Sequence, residues 1–164
     1  MLTLFESENY VVRLDGNRLT YQKASLATPV DVSFEFVKLA PYLAVYQLDF
    51  ACRPPCLPSQ TQQKRRLDVI AEEGIRALAN GGWAIVGALM DEAWRLTQYG
   101  VGDNQKLDQI YARARLGGAL GGRLSDDNLV LILREPDRRA SVNELIVGDD
   151  CEEKAYFCQV QSGQ

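Results

Sequence analysis

Two periods of hydrophobic and polar residues alternate along the chain, and the switches between them divide it into three stretches. In residues 1–50 the period is two. Val30, Val32, Phe34 and Phe36 point one way and Asp31, Ser33 and Glu35 the other, as in a strand with one wet face. Tyr10–Leu14 and Arg18–Tyr21 flank Asp15-Gly16-Asn17, which predicts a hairpin. Pro41 cannot donate to a ladder and marks a break. Tyr42–Phe50 then carries apolar residues on both faces, the mark of a central strand.

In residues 59–117 the period becomes that of a helix. Leu67, Ile70, Ala71, Gly74, Ile75 and Leu78 form one stripe, with Lys64, Arg65, Asp68, Glu72, Glu73 and Arg76 opposite. Asn80-Gly81-Gly82 ends it, because glycine enters the left-handed C′ conformation cheaply. A second stripe follows at Trp83, Val86, Leu89, Met90, Ala93 and Thr97, with Asp91, Glu92, Arg95 and Gln98 opposite. So short a break gives an antiparallel helical hairpin or a sharply bent pair over 61–98. Three prolines between Cys52 and Pro58 hold off helix until Ser59 or Thr61, either of which can cap it. A third helix starts after Asp103, buries Leu107, Ile110, Tyr111 and Ala114, and ends at Gly117-Gly118.

Residues 128–161 return to strands, at Leu129–Leu133, Val142–Val147 and Ala155–Val160, with turns around Glu135-Pro136-Asp137 and Gly148-Asp149-Asp150. The order predicts one α+β domain over 1–164, with antiparallel strands from both chain ends packed against a central group of about three helices. One shared sheet and two smaller sheets fit the pattern equally.

Composition narrows the chemistry. A chain of 164 residues suits a single domain and buries roughly 70% of its unfolded surface. With 46% hydrophobic and 24% charged residues it reads as a globular chain. Histidine is absent, which removes Ser-His-Asp and Cys-His nucleophiles and histidine-based metal sites. The formal charge of −4 argues against nucleic acid as a partner. Met1–Glu6 lacks the basic start of a secretory signal, and the uncharged run Gly81–Met90 is far short of the ~20 residues of a membrane helix. A cytoplasmic chain away from membranes, with reduced cysteines, is expected.

Four patterns carry candidate chemistry. Cys52-x3-Cys56 and Cys151-x6-Cys158 could supply four thiolates, but a polyproline run over 53–55 would spread the first pair by about 12 Å. Structural cysteines, no metal and no cofactor are expected. Leu116–Leu124 is rich in glycine, yet it follows a helix and has no Lys-Ser/Thr pair, so it matches neither a P-loop nor a dinucleotide fingerprint. It reads as a C-cap and connector with Arg123 solvated. A ligand there would take its counter-charge from Arg113, Arg115 and Arg123.

The carboxylate doublets Glu72-Glu73, Asp91-Glu92 and Asp126-Asp127 read as solvated surface, with Lys64/Asp68, Glu72/Arg76 and Asp91/Arg95 as i, i+4 pairs. Asp149, Asp150, Glu152 and Glu153 surround a turn between two expected strands and could steer a basic protein partner. These residues are the candidate partner-binding site. By elimination, a non-catalytic protein-binding chain of inhibitor, immunity or adaptor type is expected. The alternatives are a small-molecule or phosphate-ligand binding protein or enzyme using the Gly117–Gly122 connector, and a structural subunit contacting through the 61–98 hairpin.

Overall fold

A computed structural model describes residues 1–52, 56–98 and 105–154. The chain forms an α+β domain with two antiparallel sheets. In the first, β1 (Leu2–Glu6), β2 (Tyr10–Asp15), β3 (Arg18–Lys23) and β4 (Val30–Val32) pair in sequence order. The predicted hairpin is the pairing of β2 with β3, with Asp15 opposite Arg18. The predicted strand over Val30–Phe36 stops at Val32. Phe36 instead opens a short helix, α1 (Phe36–Leu39), which buries Phe36 and Leu39 at helical spacing.

The second sheet draws on both halves of the chain in the order β6-β7-β5-β8, with β5 at Leu43–Leu48, β6 at Ala119–Ser125, β7 at Asn128–Leu133 and β8 at Cys151–Lys154. β5 is interior, between β7 and β8, as its two apolar faces imply. β7 is more completely enclosed, with Leu129, Val130, Leu131, Ile132 and Leu133 all at 0% exposure. Burying each of these side chains stabilises the fold by about 1.5–3 kcal/mol. The two faces of this sheet serve different cores. Val45, Val130 and Ile132 join the first sheet and the two long helices, whereas Ala44, Tyr46, Leu129, Leu131 and Leu133 join the later helices.

Those helices are α2 (Thr61–Asn80), α3 (Trp83–Gln98), α4 (Gln105–Gly117) and α5 (Arg139–Ile146). The α2 stripe is buried at Leu67, Ile70, Ala71, Gly74 and Leu78, whereas Ile75, predicted with them, is only half-buried. Gly81 closes it at φ 74°, and the Gly82 N–H reaches back to the Ala77 carbonyl at 2.8 Å. The N-cap is Gln60, with no side-chain cap bond, rather than Ser59 or Thr61. α5 corrects the strand expected over Val142–Val147. β-branched residues suggested a strand, but the buried positions are Val142 and Ile146, one helical turn apart. The acidic turn therefore joins a helix to β8, not a strand to a strand. The expected strand over Ala155–Val160 lies outside the described residues.

The glycine-rich stretch is also corrected. It is strand β6, and its glycines hold a helix at close range. A Cβ on Gly121 would stand 2.0 Å from the Gly87 carbonyl oxygen of α3, and one on Gly87 would stand 2.6 Å from Leu120 Cβ. The helix backbone rests on the strand backbone. No helix among the described residues is long and apolar enough to cross a membrane.

Candidate functional site

The two sheets meet where β1 lies beside β6. The Thr3 N–H donates to Ser125 Oγ at 2.9 Å, and Arg123 Nη2 donates to Glu6 Oε1 at 3.4 Å. A cleft of about 520 Å³ opens along this seam. Thr3 and Glu6 enter it from β1, Arg13 from β2, and Arg123, Leu124 and Ser125 from β6. Asp126 and Asp127 complete the rim as the two-residue turn before β7, with Asp126 at φ 53°. Aspartate tolerates this left-handed conformation better than most side chains. Cys52 also lines the cleft, and burial, assisted by the Asp127 charge, pushes its thiol pKa up.

Arg123 is the distinctive group. Its side chain is only 15% exposed, against the expectation of a solvated arginine. It stands opposite Val130 of β7, which faces the core shared with the first sheet. Burial lowers its pKa from the usual guanidinium value, and Glu6 acts in the opposite direction. Its Nε–H donates to the Leu124 carbonyl at 3.0 Å. Behind it, a small apolar pocket of about 20 Å³ is lined by Leu4, Met90, Ala93, Trp94 and Thr97.

The other arginines named for a ligand lie elsewhere. Arg113 is exposed on α4. Arg115 pairs with Asp91 at 3.2 Å. Arg13, which sequence patterning passed over, is the second cation of the cleft. Its place on the outward side of β2 gave a weak signal, since such a position is ordinary surface until another sheet approaches. The glycines themselves offer no open cradle, because α3 and β7 fill the space a Cβ would need at Gly121 and Gly122.

A second polar cluster sits where α3 meets α4. Asp91, expected on a solvated face, is 7% exposed. It accepts hydrogen bonds from Tyr111 Oη at 2.7 Å and Arg95 Nη2 at 2.6 Å. The Tyr111 ring stacks on Trp94 with centroids 3.9 Å apart. Burial, followed by the bond to Asp91, pushes the Tyr111 pKa well above its ordinary value. The i, i+4 pair Asp91/Arg95 thus forms, but on a buried carboxylate rather than a solvated one. The other predicted pairs give way to longer-range partners. Asp68 accepts from Ser7 Oγ and Asn9 Nδ2, both at 2.6 Å, and Glu72 accepts from Tyr10 Oη at 3.1 Å. Glu92 is gripped by Arg66, whose Nη2 donates at 2.8 Å.

The acidic residues do not form one free tip. Asp150 pairs with Lys106 at 2.8 Å and Glu153 with Arg139 at 2.9 Å, while Asp149 and Glu152 are exposed. Cys151 is buried on β8, Cys56 is exposed, and Cys158 lies outside the described residues. No cluster of three or more metal-binding side chains forms among the described residues.

No protein-family model matches the sequence, and no curated protein matches it. The fold does match solved structures. A protein assigned as a sugar kinase from Campylobacter jejuni superposes with a TM-score of 0.58 at 10% identity, over 84% of this chain and 43% of that one. The L. major mevalonate kinase, solved with R-mevalonate, gives 0.57 at 18% identity, over 77% of this chain and 44% of that one. A mevalonate kinase from methicillin-resistant Staphylococcus aureus MRSA252 gives 0.56 at 9% identity, over 84% and 48%. The chain thus spans less than half the length of each. These likenesses overturn the expectation of a non-catalytic inhibitor, immunity or adaptor protein: the fold is one shared with kinases. Elimination misled because acidity, absent histidine and the lack of a phosphate or metal motif do not exclude this fold.

Proposed function

We propose that this chain is a small-molecule binding domain of kinase-like fold, taking a small, polar, hydroxylated ligand in the cleft between β1 and β6. The observation that carries the reading is the cleft itself. Its volume of about 520 Å³ lies within the ~300–1,000 Å³ range of small-ligand sites, and charged side chains from separate strands converge on it. Similarity of fold to a mevalonate kinase and a sugar kinase supports a ligand of that size. A cytoplasmic setting belongs to the same proposal, because small phosphorylatable metabolites are found there.

The test is ¹H–¹⁵N NMR of the full chain titrated with mevalonate, homoserine and a neutral monosaccharide. Saturable shifts at the amides of Thr3, Arg13, Arg123 and Ser125 are expected for at least one of them. A spectrum unchanged at all four amides with every ligand would overturn the proposal.

A further inference from the structure

We propose that Arg123 is the docking point for a single oxyanion on the ligand, and that Glu6 is an internal competitor for it. The inference rests on the cleft being a ligand site and adds the chemistry that the site would select.

Among the arginines that meet a carboxylate, Arg18, Arg66 and Arg123 do so in different settings. Arg18 grips both oxygens of Asp31, at 2.6 and 3.1 Å, and Arg66 grips both oxygens of Glu92. Those arginine side chains are 68% and 41% exposed. Arg123 is 15% exposed, yet its carboxylate contact is one bond at 3.4 Å. Charge-assisted bonds ordinarily shorten to about 2.7–2.9 Å and pair in a fork. A charge withdrawn from water needs a close counter-ion more than an exposed one does. The order here is reversed: the more buried guanidinium has the looser partner.

Glu6 is also easily displaced. Its side chain is 39% exposed at the end of β1, so it can turn into water when another anion approaches Arg123. Arg13 lines the same cleft and adds a second positive charge. Against these two cations stand Glu6, Asp126 and Asp127. Once Glu6 turns away, two cations face two carboxylates among the described residues, which leaves no surplus charge for a polyanion such as a nucleoside triphosphate and leaves Arg123 to take one carboxylate or one phosphate monoester on an otherwise uncharged molecule.

The experiment uses the full chain, with inorganic phosphate and propionate as separate probes, and follows the Arg123 Nε–H and Ser125 amide resonances. Both probes should shift these signals in the wild type. Glu6→Gln should tighten each by about 5-fold, the size expected when a competitor worth roughly 1 kcal/mol is removed. Arg123→Lys keeps the charge but loses the fork, and should weaken both by about 10-fold or more. Whichever probe binds tighter identifies the head group, carboxylate or phosphate.

Affinities unchanged in Glu6→Gln, or equal to wild type in Arg123→Lys, would overturn the inference. So would cleft shifts with the neutral monosaccharide but with neither anion, an outcome that leaves the binding proposal standing. Silence from anions and hydroxylated probes alike would remove both. Circular dichroism and the melting temperature of each variant confirm that the fold survives.

Discussion

Replacing Gly121 with alanine should be among the most damaging single-methyl changes available in this protein. The added Cβ would lie 2.0 Å from the Gly87 carbonyl oxygen and 2.7 Å from the Asp91 amide nitrogen. Both are main-chain atoms of α3, so no rotamer change can relieve the contact. The helix would have to lift by roughly 1.4 Å to restore ordinary van der Waals distance, breaking close packing against β6 along its length. Overpacking usually destabilises by 1–3 kcal/mol, and a backbone-on-backbone clash belongs at or beyond the top of that range, about 3 kcal/mol. For a chain of this size that lowers the melting temperature by roughly 6–12 °C. Urea unfolding of wild type and variant measures the difference directly, provided the slopes agree. Gly148→Ala is the matched control: nothing lies within 4 Å of its Cβ, so it should fall within about 0.5 kcal/mol of wild type. Equal midpoints for Gly121→Ala and the control would refute the idea that α3 is seated on the strand backbone.

Three further outcomes follow from other contacts. Asp68→Ala removes the acceptor for Ser7 Oγ, the Asn9 N–H and Asn9 Nδ2, and should destabilise by about 1–3 kcal/mol in urea unfolding, because Ser7 is buried. Tyr46 and Tyr111 have pKa values raised by burial above the ordinary value near 10, so their contribution to stability is full below that pH and is lost as pH rises past it toward the folded values. Absorbance at 295 nm should show these two phenols ionising late, together with alkaline unfolding; early titration of every tyrosine would contradict the burial. Cys151 is buried and its thiol is pushed up to about 11, so at neutral pH an alkylating reagent should label it only at the unfolding rate, as read by mass spectrometry.

Much of the architecture was legible in the sequence because period and core coincide there. The α2 stripe, the Gly81 stop, the β2–β3 hairpin and the interior position of β5 each follow from local residues. The failures lie where a distant element sets the environment. Val142 and Ile146 favour strands by side-chain shape, yet their spacing fits the groove beside α4, and packing decided. Asp91 faces away from the main stripe of α3, and nothing local announces that Tyr111 will cover it. The charged cleft was the least visible feature. Its residues come from β1, β2 and β6, separated by more than a hundred positions, and no short motif spans them. Arg123 was named as a candidate cation, whereas Glu6 and Arg13 were indistinguishable from ordinary surface charges.

The place of β5 in the second sheet also dictates the order in which the chain can become native. Its partners are residues 128–133 and 151–154, both supplied by the far half of the sequence. The first sheet, by contrast, is complete by residue 32. A ribosome adding about 5–20 residues per second leaves Leu43–Leu48 without a neighbour for several seconds to tens of seconds. During that interval the strand Leu-Ala-Val-Tyr-Gln-Leu is an apolar segment with two open edges, open to self-association with other nascent chains. The long helices emerge next, and by packing against the first sheet they can shield one face of β5 before either partner arrives. Expression yield should therefore respond to changes on that face of α2 and α3 more than the equilibrium stability of the finished protein does.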